Sequence, residues 1–336
     1  MNSSILQDLS SAGVILPNDE ICQRAKLDTG TLCNYKCDFC YYKNQLDINT
    51  EFEIIKKRID NLYNLGCRDF DLSGGESSVH PDFFKILEYL KSLNVKISCL
   101  TNGLKFSKIE FLENARSFGL SDILFSLHSV GTTHDKIVGR DKAFEKILQA
   151  IDNAKKLNIR IRINSTITNQ NFHLVDNEYF DVVESLEPFE MNFLPLNYFS
   201  QNSNAKGLKY SEILEPIKRF IDKSKIKLIN VRYVPFCHMV GYEKNVVGYY
   251  QHIYDLYDWN IAYYEYKEST IQNLKEQAAK NRKFSYRKDT KCKTCKYFYI
   301  CDGIEPQITK LYDEFKPISG EKIKDVNFFR KNFFKI

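Results

Sequence analysis

Thr29-Gly30-Thr31-Leu32-Cys33-Asn34-Tyr35-Lys36-Cys37-Asp38-Phe39-Cys40 carries three thiols, with three and then two residues between them. A closed structural zinc site needs four ligands, usually as two close pairs, whereas three thiolates hold three irons of a 4Fe-4S cube and leave the fourth iron open. An odd zinc knuckle or a chance thiol cluster is the plainer alternative for the triad alone.

Around this stretch the chain alternates. Strands are expected at Ala25–Thr29, Asp69–Ser73, Val95–Thr101, Ile123–His128, Ile159–Ile167 and Phe189–Leu196, with helices near residues 50–65, 81–93, 107–118, 142–157 and 174–187. Strand followed by helix, repeated, implies right-handed crossovers and a parallel sheet in an α/β fold. Roughly six such units are too few for an eight-stranded barrel and leave a partial barrel or an open doubly wound sheet. In either fold ligands sit beyond the carboxyl ends of the strands. The polar motifs fall there: the thiols follow the first strand, Ser73-Gly74-Gly75-Glu76 the second and Thr101-Asn102-Gly103 the third. Ser126 and His128 close the fourth, Asn164 lies on the fifth and Leu196 ends the sixth.

The triad, with Phe39 just before its last cysteine, and the Gly-Gly-Glu segment one crossover later resemble the radical S-adenosylmethionine (radical SAM) superfamily. That resemblance implies a partial (β/α)6 barrel over roughly residues 24–200. It implies a 4Fe-4S cluster on Cys33, Cys37 and Cys40 whose open iron is chelated by SAM. One electron then breaks the sulfonium to give a 5'-deoxyadenosyl radical. By the same resemblance Gly74, Gly75 and Glu76 bind the methionine amino group, and Ser126 and Asn164, with Asn102 nearby, meet the ribose or carboxylate. Phe39 and the backbone at Leu196 border the adenine. An external electron donor of flavodoxin or ferredoxin type is implied as well. From the residues alone, paired glycines after a strand are also ordinary turns, and Ser and Asn at strand ends are also local turn-formers. Arg162 shares a strand face with Asn164 and has either a carboxylate or solvent within reach.

Residues 1–23 read as an extension and 201–336 as a second module. There Cys292, Cys295 and Cys301 resemble part of the pattern of the Twitch and SPASM auxiliary-cluster domains, with Glu305 where a further cysteine of the full pattern is expected. One auxiliary 4Fe-4S cluster is therefore expected, its fourth ligand Cys237, with Glu305, Asp302 or substrate as substitutes and a zinc site as the rival. Cys22, Cys67 and Cys99 have no partner at ligand spacing and read as core fillers.

Ten cysteines, seven of them in two groups, with no signal-like start, suit a reducing cytoplasmic setting and metal ligation. No apolar run is long enough for a membrane span, and the aromatic tail from Phe328 is expected to pack on the core. The 48 basic against 43 acidic residues give a net charge of only +5, too little to argue for nucleic acid, and the basic run Lys280–Lys288 reads as a solvated face. Residues 232–266, dense in Tyr with interleaved polar groups, suit a substrate lid or a packed interface. His128 and His238 are the candidates for proton transfer. The short extension ahead of the barrel favours a small polar metabolite (sugar, nucleoside or cyclitol) as substrate over a peptide, a separate recognition protein being the other route. A non-catalytic electron-transfer or zinc-binding protein is the alternative of another class. The Gly-Gly-Glu segment argues against it, since a passive cluster protein has no ammonium group to grip.

Overall fold

The computed structural model describes residues 11–13, 24–42, 47–196, 204–248, 251, 261–262, 286–305 and 315–331. Among them one parallel sheet runs through the chain. Its first six strands are β1 (Arg24–Asp28), β2 (Asp69–Ser73), β3 (Lys96–Thr101), β4 (Leu120–Ser126), β5 (Arg160–Ile167) and β6 (Glu190–Pro195). These match the six expected strands to within a few residues. The sheet does not stop near residue 200: β7 (Leu228–Arg232), β8 (Val246–Val247) and β9 (Ile261–Ala262) extend it in the order β8-β7-β6-β5-β4-β3-β2-β1-β9. Every pairing is parallel.

The crossover helices are α1 (Phe52–Asn64), α2 (Phe83–Ser92), α3 (Ile109–Ser117), α4 (Gly131–Val138), α5 (Ala143–Lys156), α6 (Glu178–Leu186) and α7 (Tyr210–Lys223). Apart from α4, whose Ile137 and Val138 pack under the loop after β1, each lays an apolar stripe on the sheet. In α1 it is Ile55, Ile59 and Leu62, and in α5 Ile147, Ala150, Ile151 and Ala154, the three-and-four spacing of one helical face. They bury it against strand residues such as Leu27, Phe70, Ile123 and Ile163.

The other face of the strands is polar, because alternate residues point into the barrel. Arg162 is 1% exposed: its Nε donates to Asp122 Oδ1 at 2.6 Å, and its terminal nitrogens lie 3.7 Å from Asp71 and 3.8 Å from Glu190. Arg24 bridges Asp69 at 3.1 Å and Asp122 at 3.4 Å, and Arg232 joins Glu190 at 3.3 Å. A buried ionic lattice thus ties β1, β2, β4, β5, β6 and β7 together inside the barrel, and Arg162 reaches carboxylates of its own chain. Facing charges pair there at 2.6 to 3.8 Å, and removing one would leave a partner as an uncompensated buried charge.

Cys67 and Cys99 are buried in the core, as expected; Cys22 lies outside the described residues. So do 249–250, 252–260 and 263–266 of the Tyr-rich stretch 232–266, and the greater part of Lys280–Lys288. Phe329 packs on Phe236 and Tyr297 with ring centroids 6.1 Å apart in each case, while Phe328 is 54% exposed.

Candidate active site

Cys33, Cys37 and Cys40 lie on the loop that leaves the carboxyl end of β1, and the loop is clamped from two sides. On one side Gly75 N donates to Gly30 O at 2.9 Å and Glu76 N to Leu32 O at 2.8 Å. A Cβ on Gly74 would stand 2.2 Å from Gly30 O, and one on Gly75 2.2 Å from Thr31 O and 2.3 Å from Leu32 O. The paired glycines therefore make their close approach to the backbone of the cysteine loop itself. On the other side α4 ends against the loop: Lys36 N donates to Val138 O at 3.1 Å and Asp38 N to Ile137 O at 2.8 Å. Helix α4 closes with Gly139 in the left-handed region, φ +63°, where any Cβ would meet Lys36 O at 2.6 Å. Tyr35, Ile137, Val138 and Ala143 form a small apolar cluster beneath, with Cys33, Cys37, Phe39 and Leu104 packed on it.

Glu76 is buried at 3% exposure, and its carboxylate is held by the chain. Oε1 accepts from the Ser78 hydroxyl and amide and from Thr101 Oγ1 at 2.9 Å, and Oε2 accepts from Asn102 N at 2.7 Å. Burial pushes its pKa up, against the pull of these donors. Asn102 Nδ2 donates to Asn34 Oδ1 at 2.7 Å, so Asn102 fastens the end of β3 to the cysteine loop. Asn34 of the cysteine loop, Glu76 and Asn102 are thus brought together at the carboxyl ends of β1, β2 and β3.

Ser126 and Asn164 stand side by side in register on β4 and β5, and the row continues through Asn192 on β6 to Asn230 on β7. Asn192 Oδ1 accepts from Arg232 Nε at 2.8 Å and from Asn230 Nδ2 at 3.1 Å. Sequence reasoning missed Asn192 and Asn230, and it placed Arg232 in the Tyr-rich stretch instead of inside the barrel. Their signal was the period-two polar pattern of Glu190/Asn192 and Asn230/Arg232, the same as that of Arg162/Asn164. Leu196 is buried at 3% exposure, its amide donating to Ile167 O at 3.0 Å.

Phe39 meets His128 edge to face at 4.8 Å. His128 Nδ1 accepts from Thr166 N at 3.1 Å, which leaves its proton on Nε2, and burial beside His134 holds its pKa well below the usual range. His128 is thus a neutral platform for Phe39, a poor fit to the proton-transfer role expected of it. His238 is also buried, 5.7 Å from the Tyr210 ring.

The second cysteine group comes together around one small cavity. Cys237, in the 3-10 turn Phe236–His238 after β7, lines it with Cys292, Cys295 and Cys301. Among the described residues Asp302 and Glu305 do not line it, and the Asp302 carboxylate lies against Gly248 instead. Gly303 N donates to Cys301 Sγ and Ile318 N to Cys295 Sγ, both at 3.3 Å. Burial pushes the Cys237 thiol up to about 12, and the Cys33 thiol of the first loop up to about 11. Buried thiols of this kind release their protons when a metal takes them. No disulfide engages any of these seven cysteines. Among the described residues no three His, Cys, Asp or Glu side chains converge as around a single ion. The donor sets, three soft thiols on one loop and four around one cavity, fit iron-sulfur clusters.

Residues 27–176 match the family described as the Radical SAM superfamily. An Fe-coproporphyrin III synthase of Methanosarcina barkeri is 29% identical over 199 residues, 57% of this chain and 49% of that protein. A probable GTP 3',8-cyclase of Thermococcus kodakarensis is 31% identical over 157 residues, 45% of this chain and 49% of that one. The chain thus spans about half the length of these two relatives. Among solved structures, anSMEcpe with bound AdoMet and Cp18Cys peptide superposes with a TM-score of 0.58 at 19% identity, covering 93% of this chain and 95% of that one. SuiB of Streptococcus suis bound to S-adenosylmethionine gives 0.53 at 14%, covering 72% and 52%. These two are likenesses of fold, and they carry the partial barrel. With the cysteine loop at the carboxyl end of its first strand, the barrel over residues 27–176 is the part of this chain that matches the radical SAM superfamily.

Proposed function

We propose that this chain is an enzyme that reductively cleaves SAM at a 4Fe-4S cluster on Cys33, Cys37 and Cys40, and uses the resulting radical to abstract hydrogen from a small polar metabolite. The observation that carries the reading is the double clamp on the cysteine loop, Gly30–Leu32 against Gly75–Glu76 and Lys36–Asp38 against the end of α4. It supports three thiols held at the mouth of a barrel whose interior is polar. The cluster and SAM supply the electron transfer and the radical when bound. The chain's own part is positional: Gly74 and Gly75 set the loop height, Glu76 and Asn102 lock the neighbouring strand ends, and Phe39 rests on neutral His128.

We assign Cys237, Cys292, Cys295 and Cys301 to one auxiliary 4Fe-4S cluster, on the strength of the cavity that all four line. The polar row Ser126, Asn164, Asn192 and Asn230 favours a hydroxylated or heterocyclic ligand. An oxidation or a rearrangement is the reaction class. The protein is expected to act in the cytoplasm; among the described residues no helix is long and apolar enough to cross a membrane.

Anaerobic reconstitution with iron and sulfide tests this. About eight irons per chain are expected, falling to about four in Cys33→Ala/Cys37→Ala/Cys40→Ala with loss of 5'-deoxyadenosine formation. About four irons falling to none would remove the auxiliary cluster and keep the first. A screen in which only peptides provoke substrate-dependent 5'-deoxyadenosine would overturn the metabolite reading.

A further inference from the structure

Reductive cleavage needs one electron per turnover from outside the chain. We propose that a basic groove beside the first cysteine loop docks the acidic one-electron carrier that delivers it; the proposal rests on the reading of that loop given above. The groove is open, about 590 Å³, and its walls include Leu104, Lys105, Lys108, Glu110, Arg140 and Lys146. Four cations face it against one carboxylate. Lys105, Lys108 and Arg140 are exposed, and Lys146 reaches Gln149 Oε1 at 3.4 Å. In a chain whose net charge is only +5, this is a local concentration of positive charge.

Its position gives the charge a purpose. Leu104, in the groove wall, packs on the same small apolar cluster of Tyr35, Ile137, Val138 and Ala143 that carries Cys33 and Cys37. A hydrogen-bonded path runs the same way: Leu104 N donates to Asn102 Oδ1 at 3.1 Å and Asn102 Nδ2 to Asn34 Oδ1 at 2.7 Å, beside Cys33. Arg140 follows Gly139, which is seated against Lys36 of the cysteine loop. A partner held in this groove rests on Leu104, whose side chain shares one small apolar cluster with Cys33 and Cys37. In the proposed step the carrier loses one electron, the site at Cys33, Cys37 and Cys40 gains it, and cleavage of one sulfonium carbon–sulfur bond consumes it. The occupant is a protein with an acidic face around its redox centre, since charge complementarity of this kind speeds encounter and sets salt dependence.

The test uses Lys105→Glu/Lys108→Glu in the full chain, with iron content and circular dichroism as controls of folding. Binding of an oxidised acidic flavodoxin is titrated at low and high salt, and SAM cleavage is driven either by the reduced flavodoxin or by a small chemical reductant. The expected result is at least about a tenfold loss of low-salt flavodoxin affinity and of flavodoxin-driven cleavage, with chemically driven cleavage unchanged. Unchanged binding together with unchanged flavodoxin-driven cleavage overturns the proposal. So does an equal loss with both reductants, which would place the lysines in the site and not in docking. If the unaltered chain cleaves no SAM with the chemical reductant, the functional reading fails, while the binding titration still decides the groove.

Discussion

The two cysteine groups sit in regions built by different means. The first loop springs from a parallel strand and is braced by the ends of β2 and α4 through backbone hydrogen bonds and glycine-to-backbone contact, and by the Asn102 side chain after β3. The second is strung along turns, with the 3-10 segment Thr290–Thr294 and the isolated bridges Arg287↔Ile304 and Cys295↔Ser319 as its regular structure among the described residues. Its attachment to the barrel is by side chains. Phe236 stacks on Tyr297 at 5.5 Å, Tyr297 donates to Glu243 Oε1 at 2.5 Å, and Arg330 donates to Asn230 Oδ1 at 3.1 Å. A region braced by strands keeps its shape without its cofactor, whereas a region made of turns draws much of its order from the metal it binds.

Chelation should therefore separate the two most widely. Removing iron and sulfide from the reconstituted protein is expected to raise amide exchange by about a hundredfold or more across residues 286–305, with little change in β1 to β6. Hydrogen exchange with mass readout checks this. Equal protection in both regions with and without iron would break the comparison and make the second group a packed module indifferent to metal.

The barrel's bracing can be attacked directly. Gly75→Ala places a methyl 2.2 Å from Thr31 O, a backbone atom with no room to retreat. The expected cost is about 3 kcal/mol or more, by denaturant titration, with loss of the first cluster's iron. Gly131→Ala is the control: it too has a positive φ, +51°, but nothing lies within 4 Å of the added carbon, and about 1 kcal/mol is expected. Equal costs would mean that the close approach of Gly75 to Thr31 and Leu32 is not what fixes the loop.

Much of the braced region was legible in the sequence, because β2 and α5 each repeat a period that only one element fits. Helix α4 was not. Gly131-Thr132-Thr133-His134 begins it with a flexible glycine and two β-branched residues, and its eight residues are too few to repeat an apolar stripe. Gly74 and Gly75 announced a close backbone approach but could not say to what; that depends on tertiary placement, and the partner proved to be the neighbouring loop. Glu76 was legible as an acceptor, whereas its donors Ser78, Thr101 and Asn102 were fixed only by the meeting of β2 and β3. The gathering of Cys237 with Cys292, Cys295 and Cys301 lay in the residue types, since thiol chemistry reveals itself at any separation, while Asn192 and Asn230 required the strand register.

Acidification should move the braced region before the other, by a smaller amount. His134 is buried with its pKa lowered to about 4, chiefly by burial, and burial also holds His128 beside it well below the ordinary histidine range. A histidine depressed in the folded state binds its proton in the unfolded chain first. The stability it confers is complete above the unfolded pKa of about 6.5 and is lost as pH falls toward the folded value. For His134 the window is between about 6.5 and 4, and from pH 7 to 5 it alone accounts for roughly 2 kcal/mol. Replacing it by His134→Asn keeps an acceptor for His128 N, which donates to His134 Nδ1 at 3.2 Å, and removes the titration. Denaturation midpoints across pH should then show a slope in this window shallower by about one proton. An unaltered slope would move the acid sensitivity to the carboxylates of the barrel lattice, where Asp122 is held low by Arg162 and Arg24 even against its burial and keeps its charge to lower pH.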